Sequence, residues 1–328
     1  MIYYHHLEVF MYMQSRTDLA LEEHEYAISH HTTKKTETHI HGVEITDEHF
    51  SSDQITISTV NITTKNAAKA LNKPMGTYIT MEAPLLDAPD DSYHREISHH
   101  ISEQLKKLIP DFTNEKSILV IGLGNRAVTA DSLGPLCIDH LNITRHLFLE
   151  YGNTAFDKKP LHIVSSLAPG VLAQNGIETA EIVKGVVEQT NPDCLLVIDA
   201  LAARSLHRLN RTIQISNTGI HPGSGVGNHR CSLTQETLGI PVIAIGVPTV
   251  VDAATIVMDT LEDYSKKTKH SLNHQMLLND YDSTLFHELQ NMYVAGKDVD
   301  SIILNMSYTL SEALNMTFNP ANDNHLSE

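Results

Sequence analysis

The chain reads as an α/β protein with a mostly parallel central sheet flanked by helices. An N-terminal β-containing segment precedes this centre and a helical C-terminal tail follows it. Three observations predict this. Continuous apolar runs rich in β-branched residues, such as Ile118-Leu-Val-Ile121 and Cys194-Leu-Leu-Val-Ile198, suit strands buried on both faces. Helix-length segments separate those runs, which implies parallel pairing through right-handed crossovers. The same two runs lead into Gly122-Leu-Gly-Asn125 and Asp199, beyond strand ends, where open α/β sheets collect ligands and catalytic groups.

The elements follow in order. Residues 1–50 are rich in His and Glu and weakly periodic, and His5-His6, His30-His31 and His39/His41 read as solvated surface rather than metal tracts. Asp53–Val60 and Gly76–Glu82 alternate as strands do, with a polar turn and short helix between them over Asn61–Lys73. Tyr93–Leu108 places Ile97, Ile101, Leu105 and Leu108 at helical spacing and stops at Pro110. Strand Ile118–Leu123 leads through the Gly-Asn loop and Asp131 to a helix over Leu133–Asn142. Strand Leu161–Leu167 ends in Ala168-Pro-Gly170, and helix Glu178–Gln189 stops before Asn191-Pro192. Strands Cys194–Asp199, Thr212–Ser216 and Pro241–Val247 complete the centre, and helix Asp252–Tyr264 follows. The stretch from Ser265 reads as a polar connector. Asp280–Met292 and Val299–Asn315 then read as helices, and the chain frays from Asn319.

A length of 328 residues, 41% apolar and 19% charged, fits a soluble globular protein with a substantial core. Against 23 Lys and Arg stand 40 Asp and Glu, a formal charge of −17, so direct binding to nucleic acid phosphate is not expected. The 21 His add positive charge on mild acidification, because imidazole titrates near ~6.5. Three Cys without a CxxC spacing argue against a disulfide framework or structural zinc site and fit a reducing compartment. The N-terminus lacks a secretory pattern and no apolar run approaches the ~20 residues of a membrane span, so a cytoplasmic protein is expected.

The chemical candidates are few. Gly122-Leu-Gly-Asn125 lacks the third glycine of a dinucleotide fingerprint, with Arg126 and Ala127 in that region, and no Gly-Lys-Ser/Thr P-loop occurs. No cofactor is expected. No nucleophile elbow precedes a helix either, since Gly223-Ser-Gly225 is wrong in pattern and context. The glycines at 219, 223, 225 and 227 expose backbone N–H groups able to hold a carboxylate, an extended peptide or an oxyanion, or else form a surface loop. His221 in that loop is a proton shuttle, a hydrogen-bond donor or a plain surface residue. Asp131 and Asp199 are a helix cap and a strand-end turn, or two carboxyl groups aimed into one cleft. Two close carboxyls cannot both ionise cheaply, so one keeps a proton while its partner draws a proton from water. The protonated one then polarises a peptide carbonyl. The residues alone leave these alternatives open.

Longer motifs narrow them. Gly122-Leu-Gly-Asn125 with Thr129-Ala-Asp131-Ser-Leu-Gly-Pro135 resembles the germination protease family of spore-forming bacteria. So do Thr144-Arg-His-Leu147, Ala168-Pro-Gly170, Gly176-Ile-Glu-Thr179 and Val197-Ile-Asp-Ala-Leu-Ala-Ala-Arg204. The run from Gln214 to Asn228 is the most specific match, and Pro241–Ala253 is nearly as telling. Ser15–Ala20 and Gly76–Ala83 add to them.

The resemblance implies an endopeptidase that degrades small acid-soluble, DNA-coating spore proteins at germination. It implies a homotetrameric, self-processing zymogen in the forespore or spore core, with no membrane association and a core similar to hydrogenase maturation proteases. Carried onto this chain, the catalytic aspartates are Asp131 and Asp199, with Asn125, His221, Gly223, Ser224, Gly225 and Gly227 binding substrate or supporting the site. The propeptide junction falls between Asp18 and Leu19. The division is then a propeptide over 1–18, a catalytic domain over 19–264 and a helical segment over 265–328, with no metal. Two rivals remain: a metal-dependent endopeptidase using Asp131, Asp199 and His221, and a non-catalytic peptide-binding module. Ala130 stands where the family commonly has Pro, the region from Tyr264 to Met292 looks shorter than usual, and the His5-His6 segment does not align.

Overall fold

A computed structural model describes residues 17–31, 40–152, 162–220, 232–268, 288–289 and 292–319. Among these, nine strands form one sheet. Across it run β1 (Val43–Phe50), β2 (Ile55–Ile62), β3 (Gly76–Glu82), β7 (Thr212–Ser216), β8 (Val242–Asp252), β6 (Cys194–Ala203), β4 (Lys116–Gly122) and β5 (His162–Leu167). A short β9 (Tyr293–Val294) pairs with β8. The expected α/β class holds. Its parallel part is β8, β6, β4 and β5, and the N-terminal β segment extends the sheet as an antiparallel meander.

Strand β7 runs antiparallel to β8, where parallel pairing was expected. The cause is the connection after β6, a run of turns from Ser205 to Arg211. A parallel return needs a crossover of about a dozen residues or more, usually helical, and none fits there. The strand ends differ too. β6 does not stop at Asp199 but continues to Ala203, and β8 runs beyond Val247 to Asp252. The two stay paired, with a register shift between Leu201 and Ala202. β4 has meanwhile ended at Gly122, opposite Ile198. The sheet therefore steps beside Asp199, and the edge of β6 that faced β4 is left free.

Alternation along the strands builds two unlike faces. On one, Ile118, Val120, Leu196, Ile198, Ile213, Ile215, Ile243 and Ile245 point into a single apolar core. Helices α3 (Asp91–Leu108), α4 (Leu133–Ile138) and α10 (Val299–Phe318) cover it. The α3 helix starts where Asp90 accepts hydrogen bonds from the Ser92 and Tyr93 amides, and Ile97, Ile101 and Leu105 are fully buried along one stripe. The final helix packs against α3 and α4 with Ile303, Met306, Leu310 and Leu314 at helical spacing, so this part of the tail belongs to the main core.

The opposite face is divided. Helix α7 (Thr179–Thr190) seats Val183 and Val187 on Leu119, Ile121, Leu195 and Val197. Helices α1 (Ala20–His31) and α2 (Lys65–Ala70) cover Val60, Ile62 and Tyr78. A smaller patch joins Leu19, Leu201, Ala203 and Val251, beside α9 (Ala253–Thr268). Short helices α5 (Arg145–Tyr151), α6 (Leu172–Asn175) and α8 (Gln235–Leu238) complete the connections. Among the described residues, no helix is long and apolar enough to cross a membrane.

Strand β1 and helix α1 were not legible, nor were the short α5, α6, α8 and β9. Strand β1 carries Glu44, Asp47, Glu48 and His49 and is mostly exposed, as suits an edge strand protected by charge. Helix α1 buries only Ala20, Leu21, Glu22 and Ala27 among its described side chains, too few for a clear period. The predicted helix over Asp280–Met292, residues 1–16 and the loop His221–Cys231 lie almost wholly or wholly outside the described residues.

Candidate active site

The divided face encloses a cavity of about 340 Å³, lined by Asp18, Lys73, Asp131, Asp199, Gln214 and Gly246 among others. Both candidate aspartates therefore face one space. Asp199 gets there by register. It pairs with Gly246 on β8, which pairs in turn with Gln214 on β7, so the three stand level across neighbouring strands and share a face. Between two polar side chains stands a residue with none. A Cβ on Gly246 would lie 2.3 Å from a Leu201 methyl, so glycine lets Leu201 fold over this strand. Asp199 is buried, and its Oδ1 accepts a hydrogen bond from the Ala200 amide at 2.9 Å.

Asp131 arrives on the loop that fills the step beyond β4. It closes a single 3₁₀ turn, Thr129–Asp131, ahead of α4. It does not cap that helix. Its Oδ2 instead accepts from the Asn125 amide at 2.9 Å, and the same N–H reaches the Asp131 carbonyl at 3.0 Å. Gly124 makes this closure possible: its φ is +116°, and a Cβ there would fall 1.9 Å from the Asp131 carbonyl oxygen. Thr249 of β8 donates to the Ala130 carbonyl at 2.6 Å, tying the loop to the sheet. The predicted supporting residue Asn125 acts through its backbone here. Its side-chain oxygen accepts from the Ala127 amide and the Gln174 side chain.

The charges are tuned apart. Burial, then the charge on Asp131, then that on Asp18 push Asp199 well above the ordinary carboxylate range. Burial also raises Asp131, but the Asn125 amide opposes the shift by favouring the ionised form. Both carboxyls are thus biased toward keeping a proton, Asp199 the more strongly. An unequal carboxyl pair of this kind is able to offer one carboxylate as a base and one carboxyl as an acid.

The predicted junction residue lies in the same cavity. Asp18 pairs with the freed edge of β6: its amide donates to the Ala202 carbonyl at 3.1 Å, and its Oδ2 accepts from the Ala202 amide at 2.9 Å. The Asp18 carbonyl oxygen accepts from Lys73 Nζ at 2.8 Å and from Gln214 Nε2 at 3.0 Å. The same Gln214 accepts from the Ala20 amide at 2.7 Å. Leu19 is fully buried against Leu201, Ala203 and Val251. Helix α1 behind it is anchored by Glu22, whose carboxylate accepts from the Arg204 and Ser205 amides.

Lys73 and Gln214 were missed as site residues. A Gln between Ile213 and Ile215, in a strand buried along its whole length, was a readable signal. Lys73 carried none, because its place depends on how the turn after α2 folds. His221, Gly223, Ser224, Gly225 and Gly227 lie outside the described residues. Among the described residues, no group of three or more His, Cys, Asp or Glu is arranged to hold a metal ion.

Comparison with known proteins agrees with the motifs. The germination protease family model matches residues 20–276. The germination protease of Caldanaerobacter subterraneus subsp. tengcongensis is 42% identical over 318 residues, covering 93% of this chain and 94% of that one. That of Clostridium tetani is 41% identical over 322 residues, covering 94% and 97%. Among solved structures, a NiFe hydrogenase maturation protease, HycI from Thermococcus kodakarensis KOD1, matches at 15% identity and a TM-score of 0.33. The match covers 65% of this chain and 99% of that one, a level of likeness that carries no weight for the fold.

Proposed function

The chain belongs to the germination protease family, and we propose that it is a self-processing, aspartate-dependent endopeptidase acting on small acid-soluble spore proteins. In this reading Asp131 and Asp199 share one proton. Ionised Asp131 takes a proton from water, and the resulting hydroxide equivalent attacks the peptide carbonyl. Asp199 supplies the acid.

The observation that carries this reading is the position of the chain's own Asp18–Leu19 junction. Asp18 lines the cavity with both aspartates, and an acidic residue, a bulky apolar residue and Ala follow one another there. In this reading the chain's own junction occupies the cavity as a substrate would. Removal of residues 1–18 leaves Leu19 and α1 docked through Glu22. The released enzyme, a homotetramer in the spore core, then takes spore proteins of similar local sequence into the space left by Asp18. The Gly223–Gly227 loop serves that substrate.

The test is incubation of purified full-length protein at mildly acid pH, with intact mass and N-terminal sequencing, followed by a purified small acid-soluble spore protein. A fragment beginning at Leu19 and a cleaved spore protein are expected, both resistant to chelators. A chain that stays whole, or an Asp199→Asn variant of full activity, would sink the reading.

A further inference from the structure

One carbonyl oxygen in the cavity is held by side chains from two distant parts of the chain. Lys73 leaves the turn that ends α2. Asn72 adopts a left-handed conformation, with φ of 48°, and the Lys73 amide closes onto the Ala68 carbonyl at 3.1 Å. Pro74 follows, and its carbonyl accepts from the Tyr78 hydroxyl at 2.9 Å. The turn is thereby pinned to β3, and its lysine points inward to the Asp18 carbonyl at 2.8 Å. Gln214 reaches the same oxygen from β7, level with Asp199 two strands away.

We propose that Lys73 and Gln214 form the oxyanion site of the peptidase, gripping the carbonyl of the residue before the cut bond. The proposal rests on reading Asp18–Leu19 as that bond. A neutral carbonyl needs no ammonium, yet Lys73 sits in a place where burial disfavours its charge, a cost that Asp18, Glu23 and Glu22 offset only in part. A cation in a site of low polarity gains most when negative charge develops opposite it. Gln214 contributes a second donor and something more. Its amide spans the junction, donating to Asp18 on one side and accepting from Ala20 on the other, so it sets the register of the bond between them.

The step balances as follows. Water adds to the Asp18 carbonyl carbon while Asp131 takes one of its protons. The C=O π pair moves onto the oxygen, where the Lys73 ammonium and the Gln214 N–H stabilise the negative charge. When the tetrahedral intermediate collapses, the C–N bond to Leu19 breaks and the departing nitrogen takes the proton held by Asp199. One water is consumed, leaving a new carboxyl on Asp18 and a new amine on Leu19. This assigns the carbonyl to Lys73 and Gln214, where sequence reasoning gave it to the protonated aspartate, and frees Asp199 to act on the leaving group.

The experiment follows first-order self-cleavage of full-length protein by intact mass for the parent and for Lys73→Met, Lys73→Arg, Gln214→Leu and Gln214→Glu. Lys73→Met is expected to slow cleavage about 10²–10³-fold, the scale of a lost oxyanion donor, and Lys73→Arg to recover most of that loss. Gln214→Leu and Gln214→Glu are expected to slow it about 10-fold or more, with the cut still after Asp18. Circular dichroism and melting of each variant report folding. Should Lys73→Met not fold, the nearly isosteric Gln214→Glu, which keeps the acceptor and loses the donor, decides. A folded Lys73→Met or Gln214→Glu that cuts after Asp18 within about three-fold of the parent rate overturns the proposal alone. A parent that cuts at another bond overturns it together with the processing reading.

Discussion

The two faces of the one sheet are built from strands of the same composition and yet do opposite work. On the face under α3, α4 and α10, apolar side chains from seven strands merge into one continuous core. On the other, three smaller apolar clusters stand apart and the space between them holds Asp18, Lys73, Asp131, Asp199 and Gln214. Alternation makes this possible: within β6, Ile198 joins the core on one side while Asp199, its neighbour, lines the cavity on the other. The lesson is that a fold can concentrate its stability on one face and so tolerate buried, costly polar groups on the other.

That contrast breaks most readily at the carboxyl pair. Asp131→Asn and Asp199→Asn are each expected to lower peptide cleavage by about 10³-fold or more, while circular dichroism stays that of the parent. Unfolding of either variant would mean that the site face also carries the fold. The converse holds beneath α3 and α10. Leu105→Ala and Leu310→Ala, both nearly or wholly buried, should each cost about 2–5 kcal/mol in urea unfolding, with cleavage by the remaining folded protein unchanged.

Dependence on pH should carry opposite signs on the two faces. His162 is enclosed on the core face between Phe112 and Phe318. Burial, then Lys116, lowers its pKa to about 4. A pKa depressed in the folded state means that its contribution to stability is whole above the unfolded value and fades as pH falls from ~6.5 toward 4. Replacing His162 with Leu should flatten that acid-side loss in melting temperature. Asp199 is raised in the folded state, so its penalty grows as pH rises above ~4. Asp199→Asn should therefore melt higher than the parent near neutrality, with the difference shrinking toward pH 4. Equal melting temperatures at both pH values would remove the upward shift assigned to its carboxyl.

The smallest expected effect tests whether the Asp131 loop depends on its outer rim. Arg126 meets Asp139 at 2.6 Å, but both side chains are nearly half exposed. Such a pair contributes less than about 1 kcal/mol. Arg126→Met should leave both stability and cleavage close to the parent, because the loop is held from within by Gly124, the Asn125 amide and Thr249. A large loss of activity would move the loop's support from its glycines to its surface.

Legibility followed the same division. Helix α3 could be read because Ile97, Ile101 and Leu105 repeat at its period, and β3 because Gly76–Glu82 alternates. Strand β1 could not, since its residues answer to solvent on nearly every side. At the site, Asp131 and Asp199 stood out because each follows a long apolar run. Lys73 is one lysine in a polar turn, and nothing near it in the chain announces Asp18 or Gln214.

What the sequence determined by itself was local: the strands and helices with a clear period, which residues carry acid, where glycine must sit, and which family the motifs belong to. Periodicity and turn chemistry act over a few residues, and they are printed in order along the chain. The tertiary structure alone decided the direction of β7, the step where β4 stops beside a continuing β6, and the meeting of Asp18 with Lys73 and Gln214. Those depend on strand order and register, which bring together residues 55 to 196 positions apart. No short-range pattern records such distances, because the free energy that selects them comes from burying whole faces at once.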